Sequence, residues 1–398
     1  MHATELGWRL ESDMPRSERK ALIEELEQLR SSRVLVYVTG DRPPTAAQIG
    51  DDAVRPIYDQ LRLLGKVERL DLFIYSRGGA LDVPWRIASG LRKVADSWSI
   101  LIPFRANSAA TLLALSADEI ILGKHGELGP IDPILNIQRV ITTPGQPEST
   151  PLQDTISVED VMAYLRFVRE HVGLTDQDAL SASLGKLAER LDAVGLGSVF
   201  RTRSHIRDVA HRMLTSQKEP PSDRVMETIV ETLAERVYAH GHAIGLAEAR
   251  DIGLSVIEPS DDIDDSMWKL LEAYETDLKL REPFDPVLAV AGTEHYTESA
   301  TIAVVESTAA LFEFQGQLDV RARRQMPPNL SVALNLNLQL PPGLQPDQMP
   351  AELQALLQQL QQALLGHAQA AVQQALAAQA PLVGLDVGLR GGRWVRSD

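Results

Sequence analysis

Residues 101–133 read LIPFRANSAATLLALSADEIILGKHGELGPIDP. The apolar opening predicts a buried strand. A small-residue turn carrying Ser108 follows it, then a helix from Ala109 to Leu115, a short strand over Glu119 to Leu122, and a tight Gly/Pro loop carrying Asp132. Just upstream, residues 72–92 read LFIYSRGGALDVPWRIASGLR. Here the pattern is strand, Gly78-Gly79 turn and helix, with Trp85, Ile87, Ala88 and Leu91 on the helix face.

Outward from these two segments the alternation continues. Residues 15–31 place Leu22, Ile23, Leu26 and Leu29 on one face of an amphipathic helix, and Arg33 to Thr39 is a continuous β-branched run suited to a central parallel strand. Residues 51–65 predict a helix closed by Gly65, and a strand over Leu70 to Tyr75 follows at crossover spacing. Strand and helix alternating in this way predict an α/β fold with a mostly parallel sheet. Residues 138–157 are polar and contain prolines, which predicts an excursion or loop. A largely helical stretch occupies 158–214, and a further helix follows the Lys218–Ser222 breaker. The segment from His240 to Leu254, HGHAIGLAEARDIGL, leads into another helix.

Beyond about residue 260 the character changes. Residues 264–280 predict a helix, 301–313 are undecided between strands and helix, and 331–340 alternate as a half-buried strand does. Residues 351–380 are rich in Ala and Gln with almost no charge, a helix-forming composition. The expected division is therefore a domain over 1–260 and an extension of mixed strand and helix over 261–398, the latter a possible interaction or oligomerisation module.

The totals narrow the function. With 398 residues and 44% hydrophobic composition the chain is ordinary globular material with room for a large core. It has no cysteine, so disulfides, thiolate metal sites and a cysteine nucleophile are excluded. A net charge of −16 disfavours nucleic acid as a partner, because the overall field repels a polyanion. The first twenty residues lack an apolar core, which predicts neither a signal peptide nor an anchor, and no long apolar run predicts a membrane span. A cytoplasmic location is the resulting expectation.

Ser108 before an apolar helix has two compatible readings. As an N-cap its hydroxyl accepts from the first helical turn. As a nucleophile it is exposed where free N–H groups can stabilise an oxyanion. Gly78-Gly79 are a turn device, or a place where a substrate carbonyl can approach an N–H; Ala109, following the serine, supplies a second donor. No phosphate-loop pattern is present. Asp132, before Pro133, is a turn residue or the acid that orients a base. Four candidates for that base stay open: His240 and His242 in the loop before Ile244, and Lys124 and Lys186. The H-x-H pair lacks the further ligands a metal site needs, so no metal and no cofactor is expected.

These ordered motifs, S-R-G-G, S-A-A-T, A-D-E-I and G-P-I-D-P, together with YAHGHAIGLAEARDIGL, resemble the Clp-fold serine peptidase superfamily. Within it the chain is most similar to the serine dehydrogenase proteinases, relatives of the Clp protease subunit and signal peptide peptidase A, over residues 15–260. The resemblance implies a Clp/crotonase-type spiral ββα fold, a homo-oligomer and a soluble serine endopeptidase acting on polypeptide. By motif position it implies Ser108 as nucleophile, with Gly79 and Ala109 as oxyanion donors. Asp132 stands where Clp protease subunits carry their histidine, so the base comes from elsewhere. The family's Ser, Asp, His order then points to His240, with His242 as the fallback, and a Ser-Lys arrangement like that of signal peptide peptidase A would use Lys186. A catalytically weak scaffold or partner-binding protein and an acyl-CoA enzyme of the crotonase type are the competing readings. An unfoldase or other partner is not specified.

Overall fold

The computed structural model describes residues 16–132, 134–141, 150–236, 241–325 and 349–397. The elements begin with α1 (Arg16–Arg30), β1 (Arg33–Thr39), α2 (Val54–Leu64), β2 (Val67–Tyr75), α3 (Val83–Val94) and β3 (Ala95–Ile102). Next come β4 (Arg105–Ala106), α4 (Ala109–Ala114), β5 (Glu119–Leu122), β6 (Glu127–Leu128), β7 (Ile134–Ile141), β8 (Thr150–Ser157) and α5 (Val158–Arg166). The chain continues through α6 (Gln177–Thr215), α7 (Asp223–Glu231), α8 (Leu246–Ile252), β9 (Val256–Ile257), α9 (Asp261–Asp277) and α10 (Pro286–Ala289). It ends with β10 (His295–Glu306), β11 (Leu311–Arg324), α11 (Ala351–Gln379) and β12 (Leu382–Ser397). Two compact units emerge: residues 1–283, 300–316 and 391–398 form the first, and residues 284–299 and 317–390 the second.

In the first unit β1, β2, β3, β5 and β9 run parallel in that order. The part of β10 in this unit pairs antiparallel with β1, Val36 opposite Glu306 and Thr39 opposite Ala303. Both faces of the sheet are covered, which is why its strands read as unbroken apolar runs rather than alternating ones. Leu35 and Tyr37 of β1, with Leu72 and Ile74 of β2, point into a core shared with Ile57, Ile87, Leu113 and Met213. Val34, Val36 and Val38, with Phe73, point the other way, against Ile23 and Leu26 of α1 and Met267 and Leu271 of α9. This is the period of two of a strand, expressed in two cores.

After each of three central strands the chain makes a short excursion in a second layer before its next helix or loop. Ser76 bridges Ala106 after β2, β4 pairs with β6 in parallel, and Leu128 bridges Ile244 antiparallel. Strand, short strand, helix is the spiral ββα arrangement that the resemblance implies, and the fold is mixed α/β with a mostly parallel sheet.

The predicted strands and helices of residues 16–132 are found with end shifts of a few residues, β5 coinciding with Glu119–Leu122. Residues 138–157 depart from the expected loop: β7 and β8 form an antiparallel ribbon with Ile134 opposite Ser157 and Ile141 opposite Thr150. Polar, proline-bearing sequence hides such a pair. In a two-stranded ribbon every strand is an edge, and an edge strand tolerates a proline such as Pro151. The undecided 301–313 segment lies in the β10–β11 hairpin, closed by Ser307 N–H donating to Ala310 O at 3.0 Å. The alternating residues 331–340 lie outside the described residues. In the second unit Val290, Leu318 and Val320 form a small core, and His295 Nε2 and Arg321 Nε meet the Asp319 carboxylate at 2.8 and 2.9 Å. Among the described residues no helix is long and apolar enough to cross a membrane.

Two polar clusters lock the first unit. Glu306, fully buried, accepts from Arg19 Nε at 2.9 Å and Tyr274 OH at 2.8 Å, while Arg19 also pairs with Asp277. Burial, with Glu306 beside it, pushes the Tyr274 phenol up. Asp118 of the A-D-E-I motif accepts from Arg92 at 2.6 Å, from the Trp98 N–H at 3.0 Å and from the Lys218 N–H at 2.7 Å. Burial disfavours its charged form, but the hydrogen bonds from Arg92, Lys218 and Trp98 outweigh it and hold the Asp118 carboxyl below its ordinary value.

Glu306→Ala leaves the buried Arg19 without its main partner and should lower unfolding free energy by about 3–5 kcal/mol, read by urea titration. Because Asp118 is depressed in the folded state, its stabilisation is complete above the unfolded carboxyl value of about 4 and is lost as pH falls through the folded value. Asp118→Asn should therefore be less stable than wild type at neutral pH and lose less further stability in acid, as measured by thermal unfolding across pH.

Candidate active site

Ser108 begins α4 without capping it. Its hydroxyl makes no cap hydrogen bond, and its backbone lies at φ 52, ψ −111, whereas an N-cap residue takes extended angles. The cap reading of the sequence therefore fails, and a strained conformation takes its place. Positive φ at a non-glycine residue is unfavourable and persists only where surroundings impose it.

Those surroundings can be named. Asn107 N–H donates to Ser76 O at 3.0 Å, and Ala110 N–H donates to Asn107 O at 2.9 Å, fixing the chain on both sides of Ser108. Thr111, fully buried, accepts from the Gly129 N–H at 3.1 Å and lies 2.6 Å from Ala106 O and 2.8 Å from Gly129 O. One hydroxyl thus ties the helix behind Ser108 to the loop that leads to Asp132.

Gly78 and Gly79 are required by proximity. At Gly78, φ 103, an added Cβ would lie 2.7 Å from Asn107 O, 2.8 Å from Ser108 Cβ and 3.1 Å from Ala109 N. At Gly79, φ 154, it would meet the backbone O and N of Ile49 at 2.4 and 2.5 Å. The neighbouring backbone is consumed: Ile49 N–H donates to Gly78 O at 2.8 Å, and Ala80 N–H donates to Ile49 O at 2.9 Å. Among the described residues no group accepts from the Gly79 or Ala109 N–H, and Ser108 Oγ has no hydrogen-bond partner. A hydroxyl and two amide donors thus stand open at one turn.

Asp132 is half-buried, and both its oxygens lie 3.0 Å from Ser157 Oγ, which also accepts from the Asp160 N–H at 3.2 Å. Sequence reading missed Ser157, although Ser157-Val-Glu-Asp160 carries a helix-start signal. It missed the clamp at Thr111 as well, where S-A-A-T was the only sign.

The candidate bases are placed unequally. His240 lies outside the described residues. The described chain on either side is anchored to the loop before Asp132: Ile131 N–H donates to Leu233 O at 2.9 Å, and Ile244 and Leu128 exchange hydrogen bonds of 2.8 and 3.0 Å. His242 is exposed, its Nε2 2.9 and 3.1 Å from the two oxygens of Glu248. Lys124 pairs with Asp261 at 2.7 Å, and Lys186 is exposed on α6. The structure brings Ser108, Gly79 and Ala109 together and brings neither lysine into hydrogen-bond contact with Ser108. Among the described residues no cluster of His, Asp or Glu could hold a metal ion.

Comparison with known proteins agrees with the motifs. Residues 9–142 match the family of ClpP-like SDH-type serine proteinases. The resemblance is thereby shown for the part of the chain that carries Gly79, Ser108, Ala109 and Asp132. The uncharacterized protein MJ0137 of Methanocaldococcus jannaschii is 22% identical over 269 residues, 66% of this chain and 80% of its own length. A second uncharacterized protein of that organism, MJ1495, is 21% identical over 262 residues, 64% of this chain and 76% of its own. Among solved structures, ClpP1 from Listeria monocytogenes is similar at 13% identity, over 61% of this chain and 97% of that one, with a TM-score of 0.31.

Gly79→Ala should displace the Ile49 backbone and lower the thermal unfolding midpoint by several degrees, since neither contact atom belongs to a flexible side chain. Thr111→Val, which removes the hydroxyl's bonds to Ala106 O and Gly129 O and leaves the Gly129 N–H only its 3.3 Å bond to Ala106 O, should be destabilised by about 1–3 kcal/mol in denaturant unfolding, with Thr111→Ser retaining most of the stability.

Proposed function

We propose that this protein is a serine endopeptidase in which Ser108 is the nucleophile, Gly79 and Ala109 supply the oxyanion donors, Asp132 is the acid and His240 the base. The observation that carries this reading is the strained turn at Ser108, with its unbonded hydroxyl and the unbonded N–H groups beside it. Buried or half-buried donors left unpaired are unfavourable unless something else is to occupy them. A tetrahedral oxyanion is such an occupant.

The reaction uses these groups and one water. His240 takes the Ser108 proton as Oγ attacks the peptide carbonyl, and the carbonyl oxygen accepts from Gly79 and Ala109. The C–N bond breaks as the imidazolium gives its proton to the leaving amine. Water, deprotonated by His240, then attacks the acyl carbonyl, and the imidazolium returns the proton to Ser108 Oγ as the C–Oγ bond breaks and the carboxylic acid product leaves. Asp132 holds the imidazole and stabilises its charged form, with Ser157 fixing the carboxylate from behind. The anchoring of residues 233 and 244 to the 128–131 loop supports His240, because the segment that carries it is bound at both ends to the loop of the acid. His242, turned to Glu248, and the exposed Lys186 have no comparable support.

A thioester enzyme of the crotonase type would use the same two donors but has no need of an unpaired serine hydroxyl between them. The deciding experiment is covalent labelling. An alkyl fluorophosphonate should modify Ser108 of the wild type, with the adduct located by peptide mass spectrometry, while Ser108→Ala remains unlabelled and loses casein hydrolysis by about 10³-fold or more. Equal labelling of the variant would sink the assignment.

A further inference from the structure

Asn107 stands immediately before the proposed nucleophile, and among the described residues its carboxamide has no partner. The backbone of the residue is engaged on both sides, to Ser76 and Ala110, so the side chain is held in place. Oδ1 is closed off from solvent and accepts no hydrogen bond. It rests on Gly129, where an ideal Cβ would lie 3.0 Å from Asn107 Cγ and 3.1 Å from Oδ1. Nδ2 is not buried and donates to no other described residue, so in this half-buried side chain it is the end that meets solvent.

A packing role accounts poorly for this arrangement. A leucine of similar size would fill the space without burying an unpaired carbonyl, whereas the carboxamide keeps an N–H donor open beside Ser108. Its surroundings also differ from those of the two amide donors. The Asn107 main-chain carbonyl faces Gly78, 2.7 Å from an ideal Cβ there, and the side chain faces Gly129. The Ala109 amide nitrogen lies 3.1 Å from the ideal Cβ at Gly78, beside the Asn107 main-chain carbonyl, whereas the carboxamide lies against Gly129, in the loop that leads to Asp132.

An extended polypeptide lying over Ser108 presents further main-chain carbonyl oxygens on either side of the scissile one, about 3.3–3.6 Å per residue along the chain. We infer that Asn107 Nδ2 donates to one of these flanking carbonyls, making Asn107 a substrate-binding residue that sets the register of the polypeptide over the nucleophile. The inference rests on the serine-peptidase reading and adds to it a side-chain determinant that recognises main chain rather than a particular side chain.

Two Ser108-directed probes test it on the full-length protein, with rates followed by intact mass. One is an alkyl fluorophosphonate, which has no peptide carbonyl; the other is a peptidyl aminoalkylphosphonate diphenyl ester, which does. In each, the Ser108 Oγ–P bond forms as fluoride or phenoxide leaves with the bonding electron pair, and the serine proton passes to the base and then to solvent. Asn107→Ala and the shape-preserving Asn107→Leu should react with the alkyl probe within about twofold of wild type. With the peptidyl probe both should be slower by about five- to tenfold, the loss expected for one hydrogen bond. Wild-type rates with both probes, or equal slowing with both, would overturn the inference while leaving Ser108 labelled. If the wild-type serine reacts with neither probe, the peptidase reading fails and this inference with it.

Discussion

The site depends on a short run of backbone pairing in the second layer of the fold. Ser76 bridges Ala106, Ala106 pairs with Leu128, and Leu128 bridges Ile244. Each residue follows a main-sheet strand or precedes a helix, so the pairing sets side by side the connections that carry the proposed site residues. The approach is so close that Gly78 and Gly129 have no room for a side chain without moving Asn107 or Ser108. Remove the pairing and nothing local holds the Gly78-Gly79 turn against Ser108 or fixes the loop that leads to Asp132.

That constraint also explains how an unfavourable backbone conformation persists. Ser108 sits at positive φ between Asn107, bonded to Ser76, and Ala110, bonded to Asn107. Thr111 fastens the following helix to Gly129 through a buried hydroxyl. The fixed neighbours leave Ser108 with no alternative, and strain stored in this way is common where a reactive group must be presented. The same neighbours leave the hydroxyl and the Gly79 and Ala109 amides unpaired, so rigidity and availability have one cause.

The sheet of the first unit is itself covered on both faces. β1 to β3 send alternate residues into two cores, and α1 and α9 cover one of them through Ile23, Leu26, Met267 and Leu271. α9 lies beyond residue 260 in the chain, as do the inner parts of β10 to β12, yet they belong to the first compact unit. Glu306 joins the end of β10 to Arg19 of α1 and Tyr274 of α9 in a buried polar cluster. The second unit is organised on its own small core of Val290, Leu318 and Val320.

Much of this was written in the sequence. Continuous apolar runs such as Arg33–Thr39 determined parallel strands buried on both faces, and the helix periodicities determined α1 to α4. The ordered motifs singled out Gly79, Ser108, Ala109 and Asp132. Other features were not legible. The β7–β8 ribbon has no hydrophobic period to announce it, since its register is set by backbone pairing between two edge strands. Whether Ser108 caps its helix or leaves its hydroxyl free depended on a backbone angle imposed by Ser76 and Gly78, residues about thirty positions away. The partners of Asp118, His242 and Asp132 were likewise decided by packing, because a charged side chain's role is set by which donors the fold places within about 3 Å of it. The sequence determined the elements and the residue types capable of the chemistry; the tertiary structure decided which of them meet, because contacts between distant segments depend on how the layers close.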